Sequence, residues 1–285
     1  MLKNSLICVS VFWLASSVGC NTSRGDREVE PQAVDPSSKE PTSASTTSTK
    51  IDRGQNRTMN ILFVLTSHSR VGDTGKETGF YLSEVSHVYY QLRQAGAHIT
   101  FASIRGGKAP IDGADRKDED NARFLDDSEV MSAVANTMPL SAARASDYDA
   151  VYFPGGHGTM WDFPGNSDVE RVTRGVWERG GIVAAVCPGP AALTEVKLSD
   201  GSYLVSGHEV AVFTNDEEKA VKLDQVVPFL LQSRLQERGA RIRTAANWQS
   251  NVVVSGQLIT GQNPASAKEL GKQLLQVLKN PGDKS

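Results

Sequence analysis

The stretch 60–68, Asn-Ile-Leu-Phe-Val-Leu-Thr-Ser-His, holds five consecutive apolar residues with no polar alternation. A short run of this kind predicts a strand covered on both faces, as in a parallel sheet packed between helices. Similar runs recur at 99–104, 150–153, 182–186, 210–213, 252–254 and 258–260. Between several of them the apolar positions are spaced three or four apart. This predicts helices over 80–95, 169–179, 217–238 with an interruption near Pro228, and 265–278. Strands alternating with helices predict an α/β sandwich with a mostly parallel sheet.

In open sheets of that kind, ligands bind beyond the carboxyl ends of the strands. Thr66-Ser67-His68, Pro154-Gly155-Gly156-His157-Gly158, Cys187, Thr214-Asn215-Asp216-Glu217-Glu218 and Gly261-Gln262-Asn263-Pro264 all follow predicted strands. Segment 106–146 is too long for a simple connection. It is expected to form a small helical insertion at the same edge, placed to act as a lid.

Residues 1–57 do not follow this pattern. Lys3 precedes an apolar run over 6–15 that ends in Ser16-Ser17-Val18-Gly19-Cys20, the layout of a targeting segment too short to span a bilayer. Small residues before Cys20 resemble the lipobox of bacterial lipoproteins, with Ser17 where Leu is usual. Residues 1–20 are then a signal peptide cut before Cys20, whose sulfur is lipidated; ordinary cleavage and an uncleaved anchor are the alternatives. Residues 21–57 are Ser, Thr, Pro and charge, a disordered tether of about 35 Å root-mean-square length. The expected domain, 58–280, would thus be held by a lipid anchor at the periplasmic or extracellular face of a cell-envelope membrane, or else be secreted.

Composition narrows the function classes. Among 285 residues, 30 Lys and Arg are interspersed with 33 Asp and Glu, for a net charge of −3, which argues against a nucleic-acid partner. Of the three cysteines, Cys8 lies in the signal segment and Cys20 would carry lipid, leaving Cys187 alone in the folded part. A lone thiol is either reactive or an inert buried group.

Cys187 ends the small apolar run 181–186 and is followed by Pro188-Gly189-Pro190 and then helix formers. That is the shape of a nucleophile elbow. Its sulfur would be exposed at the sheet edge near a helix N-terminus, whose dipole favours the thiolate. The bland alternative is a small residue packing a strand. Glu84 stands one helical turn from both Phe80 and Val88. From that apolar stripe its carboxyl would be buried, raised in pKa and able to shuttle protons, although a solvated helix-edge Glu is the commoner case. Gly155 and Gly156 offer backbone N–H groups to a developing oxyanion, and His157 is a candidate proton carrier or a polar filler. His208 reads as structural.

Taken together, these residues resemble the ThiJ/PfpI superfamily, and within it the glutathione-independent glyoxalase III branch that includes heat-shock-type chaperones. The matching blocks run from Gly72-Asp73-Thr74-Gly75 and Thr78-Gly79-Phe80 through Glu84, to Tyr148-Asp149-Ala150, Gly155-Gly156-His157-Gly158-Thr159-Met160-Trp161-Asp162, the Cys187 elbow, Phe213-Thr214-Asn215 and Thr260-Gly261-Gln262-Asn263-Pro264-Ala265-Ser266. The resemblance implies a flavodoxin-like three-layer α/β/α sandwich, shared with class I glutamine amidotransferase domains. It implies Cys187 as nucleophile and Glu84 as its acid, in the conversion of methylglyoxal and water to lactate without metal or organic cofactor. It further implies homodimers, since relatives commonly pair.

One position departs from that pattern. Active members of the branch carry His directly after the Cys, in a triad with a carboxylate that would here be Glu217 or Glu218; this chain has Pro188. The imidazole base and the N–H after the nucleophile are both lost. Each loss typically costs about a hundredfold in rate or more. The fold tolerates proline there, at the head of a helix, and the ring keeps Cys187 out of the right-handed helical region. The expectation is a glyoxalase III-type enzyme, weakened or altered. The alternative is a redox-sensing or chaperone-like module in which oxidised Cys187 is held by Glu84. Amidase or peptidase activity leans hardest on the missing groups.

Overall fold

In a computed structural model that describes residues 58–280, the first apolar run forms β1 (Asn60–Leu65). Ile61, Phe63 and Leu65 enter one core and Leu62 and Val64 another, as the pleat of a strand requires. All five side chains are fully buried, which explains the missing polar alternation.

The chain continues through β2 (Phe80–Tyr81), α1 (Leu82–Gln94), β3 (His98–Ser103) and β4 (Ile111–Asp112). Next come α2 (Glu119–Asp126), α3 (Ser128–Ala135), β5 (Met138–Pro139) and β6 (Ala150–Phe153). After these lie α4 (Thr159–Asp162), α5 (Ser167–Glu178) and β7 (Ile182–Val186). The remainder comprises β8 (Glu209–Val210), α6 (Asn215–Ala220), α7 (Leu231–Glu237), β9 (Arg241–Ile242), β10 (Val252–Ser255), β11 (Leu258–Gly261) and α8 (Ala267–Lys279).

Seven strands form one sheet in the order β10-β11-β7-β6-β1-β3-β5. Every pairing is parallel except β10 with β11. On one face, Val85 and Val88 of α1 and Leu270 and Leu274 of α8 pack with Phe63. On the other, Val169, Val172 and Val176 of α5 and Leu231 and Leu235 of α7 pack with Leu62 and Val64. The molecule is therefore the three-layer α/β/α, flavodoxin-like sandwich expected.

Two details differ from the sequence reading. Residues 210–213 are not a strand of the main sheet: only Glu209–Val210 is extended, paired with β9. The amides that follow leave the ladder, Ala211 donating to Thr260 Oγ1 at 2.9 Å and Phe213 to the Cys187 carbonyl at 3.1 Å. The helical pattern over 217–238 resolves into α6 and α7, with Pro228 between them. Segment 106–146 contains β4, α2, α3 and β5, and it buries Phe124, Val130 and Val134 in the core. The expected signal peptide, the expected lipidation site Cys20 and the expected tether lie outside the described residues. Among the described residues no helix is long and apolar enough to cross a membrane.

Candidate active site

Cys187 follows directly from β7 and sits at φ 62°, in the left-handed region. Non-glycine residues hold that conformation only where their surroundings enforce it. Here the Cys187 N–H donates to the Gly261 carbonyl at 2.9 Å, and its own carbonyl accepts from Phe213. The elbow is thus clamped from two sides, with Pro188 beginning a short 3₁₀ turn over Gly189–Leu193. Two expectations need correction. Cys187 is only 4 % exposed, and a five-residue 3₁₀ turn replaces the helix whose dipole was to favour the thiolate. Burial, followed by the neighbouring Glu84 carboxyl, pushes the thiol well above its usual range.

Glu84 lies in the first turn of α1 and is fully buried. Hydrogen bonds to distant segments fix where this turn begins. Phe80 N–H donates to the Pro110 carbonyl, Tyr81 N–H to the Gly155 carbonyl at 3.0 Å, and the Tyr152 hydroxyl to the Glu84 carbonyl at 2.8 Å. The Gly155 N–H then donates to Glu84 Oε2 at 2.7 Å, while Oε1 has no hydrogen-bond partner of ordinary geometry. Burial lifts the Glu84 carboxyl to about 8, against the opposing pull of the Cys187 thiol and the Gly155 amide. At neutral pH it is therefore mostly a neutral acid, with one oxygen able to donate a proton and the other able to accept one.

The Gly155 amide, expected to serve an oxyanion, is instead committed to Glu84. Gly155 is needed for space: a Cβ there would lie 2.9 Å from Cys187 Cβ and 2.8 Å from Pro188 Cδ. Gly156 has φ 100°, and a Cβ on it would fall 2.1 Å from the Gly79 carbonyl oxygen. Among the described residues the Gly156 N–H donates in no hydrogen bond, which leaves it as a loop amide able to meet a ligand.

The two acids of the Thr214 segment have different surroundings. Glu217, fully buried, belongs to a capping box: Oε2 accepts from Thr214 N–H at 3.0 Å and from its hydroxyl at 3.1 Å. Its Oε1 accepts from Trp248 N–H, Gln262 Nε2 and Asn263 Nδ2, at 3.0, 3.1 and 2.8 Å. Five donors on one carboxylate make it a structural hub. Glu218 is also buried, and its Oε1 lies 3.0 Å from His157 Nε2. The His157 ring meets Phe213 edge-on at 5.7 Å, and Phe213 in turn meets Trp248 at 5.8 Å.

Sequence reasoning passed over Tyr81 and Trp248. The Tyr81 phenol is raised by burial and then by Glu84 and Cys187, which places it beside the pair; its only signal was membership of the Thr78–Glu84 block. Trp248 is 46 % exposed at φ 65°, and nothing in its polar surroundings marked it. His208 bonds Ser255 Oγ at 3.0 Å and packs edge-on to Trp177, tying the chain before β8 to the end of β10 and to α5.

Two further polar groupings flank the site's elements. Asp162 accepts from the Thr66 hydroxyl at 2.8 Å and the Ser67 N–H at 2.7 Å, joining α4 to the end of β1; burial raises its carboxyl to about 6. His87, Asp118 and Asp120 bring ligand-type atoms within 4.8 Å of one another. Asp118 caps α2, and its bond of 2.8 Å to His87 Nε2 ties α1 to it, while Asp120 pairs with Lys268 at 3.6 Å. These contacts account for the cluster as a helix tie.

A thiol at a clamped elbow, a neutral acid against it, a free loop amide and a carboxylate-held imidazole can together support addition of sulfur to a carbonyl followed by proton transfer. Relatives fit that chemistry. The Saccharomyces cerevisiae protein named glutathione-independent glyoxalase HSP31 is 29 % identical over 77 % of this chain and 98 % of its own. Among solved structures, the Francisella tularensis Rapid Encystment Protein 24 KDa matches with TM-score 0.75 and 40 % identity over 77 % of this chain and 99 % of its own. Glyoxalase III from Candida albicans matches with TM-score 0.72 and 27 % identity, over 76 % and 96 %. The sequence profile of the DJ-1/PfpI family matches residues 76–277, and the chain belongs to that family.

Proposed function

We propose that this protein is a glutathione-independent glyoxalase acting on small 2-oxoaldehydes such as methylglyoxal, through Cys187, at a rate lowered by Pro188. The observation that carries the reading is the fully buried Glu84 carboxyl, held by the Gly155 amide and set beside the buried Cys187 thiol. A thiol need not ionise in advance if a bifunctional acid stands beside it. As sulfur bonds to the aldehyde carbon, the S–H proton passes to one Glu84 oxygen while the other protonates the carbonyl oxygen, giving a hemithioacetal. Moving the C1 proton to C2 through an enediol converts this to a lactoyl thioester. Water then cleaves the thioester, regenerating the thiol and releasing lactate. Atoms balance without an added oxidant, metal or organic cofactor. The relatives named as glyoxalases support the substrate class.

The test is lactate formation from methylglyoxal by the purified chain without glutathione. Cys187→Ser is expected to abolish it and Pro188→His to raise it; turnover untouched by Cys187→Ser would sink the proposal. The redox-sensor reading is less well supported, since a raised thiol is a poor target for peroxide. Placement at the cell envelope through lipid on Cys20 belongs to the same proposal. Incorporation of a labelled fatty acid in cells, lost on Cys20→Ser, is the outcome expected; a chain left unlabelled would remove it.

A further inference from the structure

Of the two carboxylates that could have oriented an imidazole at position 188, Glu217 is taken up by five donors, and Glu218 holds His157, Nε2 to Oε1 at 3.0 Å. The two are 61 positions apart, and they meet because the glycine loop after β6 and the start of α6 both lie at the carboxyl end of the sheet. Glu218 acts on the Cys187 thiol electrostatically. His157 is two residues past Gly155, the residue packed against Cys187, and its ring touches Phe213, whose amide holds the Cys187 carbonyl. With Nε2 turned to Glu218, Nδ1 makes no hydrogen bond among the described residues, as a base requires.

The environments of the two proton carriers differ. Glu84 is fully buried, while the His157 side chain keeps 18 % of its surface exposed. Glu84 thus suits proton transfers within the bound substrate, and His157 is the group that water can reach. We propose that His157, held by Glu218, is the general base for hydrolysis of the Cys187 thioester, supplying from the glycine loop the imidazole that position 188 lacks. This rests on the glyoxalase reading for its natural substrate. In the step, His157 Nδ1 takes a proton from water as its oxygen bonds to the acyl carbon. The carbon–sulfur bond breaks, the thiolate recovers a proton from the imidazolium, and Glu218 steadies the cation meanwhile. Glu218 is a positioning residue.

The test follows deacylation directly and does not depend on methylglyoxal. The full chain is acylated with p-nitrophenyl acetate, and the acetyl thioester on Cys187 is tracked by mass spectrometry and by its sensitivity to hydroxylamine. In His157→Gln, deacylation is expected to slow about a hundredfold, with acylation little changed. With methylglyoxal, the same variant should accumulate a hydroxylamine-sensitive adduct absent from the parent. Glu218→Gln should slow deacylation less, and adding Pro188→His to His157→Gln should restore it, because Glu218 is then free to orient the new imidazole. That restoration separates a chemical role from a structural one. Equal deacylation by parent and His157→Gln would overturn the proposal, as would a parent whose Cys187 neither reagent acylates. Failure of methylglyoxal turnover alone, with His157-dependent deacetylation intact, would overturn only the choice of substrate.

Discussion

The Gly155 amide donates to Glu84 Oε2 at 2.7 Å, so the glycine loop and the buried acid are one unit. The loop sets the acid's orientation, and the acid fixes the loop beneath the nucleophile. Replacing Glu84 by Gln keeps an acceptor for that amide but removes the proton to be moved. Glu84→Gln is expected to cost at least about a hundredfold in lactate formation while thermal unfolding shows an intact fold. Retained turnover would assign the shuttle elsewhere.

Glu84 also sets a pH limit. Its carboxyl titrates at about 8, and the neutral form is the one that protonates the substrate. Above about pH 8, kcat/KM should fall toward tenfold per pH unit, a limb that Glu84→Gln cannot show.

Stability should carry the same group's signature. Between its ordinary 4.5 and about 8, the folded chain binds a proton at Glu84 that the unfolded chain has released. Stability therefore falls as pH rises through that window, by about 1.4 kcal/mol per unit from this group. Relative to its value at pH 4, the unfolding free energy of Glu84→Gln should gain on the parent's progressively, by several kcal/mol at pH 8. Urea titrations at the two pH values measure the difference.

The backbone at position 187 offers a test free of catalysis. Its φ of 62° costs an L-residue roughly 1 kcal/mol that glycine does not incur. Cys187→Gly should therefore be no less stable than Cys187→Ala, and up to about 1 kcal/mol more so, reversing the usual order for a buried site. At Gly156 the expectation is opposite: alanine would place Cβ 2.1 Å from the Gly79 oxygen. Gly156→Ala should lose several kcal/mol or fail to fold.

The strand runs, the elbow and the helix carrying Glu84 were legible because each is a local pattern. A β-branched run ending in Cys-Pro-Gly-Pro can scarcely be anything but a sharp turn out of a buried strand, and Glu84 between Phe80 and Val88 could only be buried if that helix packed. Contacts between distant segments were not legible. The Thr214-x-x-Glu217 spacing is a local capping signal, yet nothing local shows that Glu217 also gathers three donors from distant loops or that Glu218 holds His157. The stretch 210–213 has the composition of a strand but loses its ladder because Thr260 Oγ1 and the Cys187 carbonyl take its amides. The thiol's burial was also hidden, since it depends on Phe213 and the glycine loop closing over an elbow that sequence alone leaves open.

The last strand on one side of the sheet is only two residues long, Met138–Pro139, and its second residue has no N–H to offer. Pro139 lies opposite Ser103 of β3, so the outermost strand ends on a residue that presents no donor to a passing strand. A second copy approaching at Met138–Pro139 meets a strand of two residues that lacks one donor, a poor template for strand addition. At that end of β3 the proline therefore works against sheet-to-sheet growth between molecules.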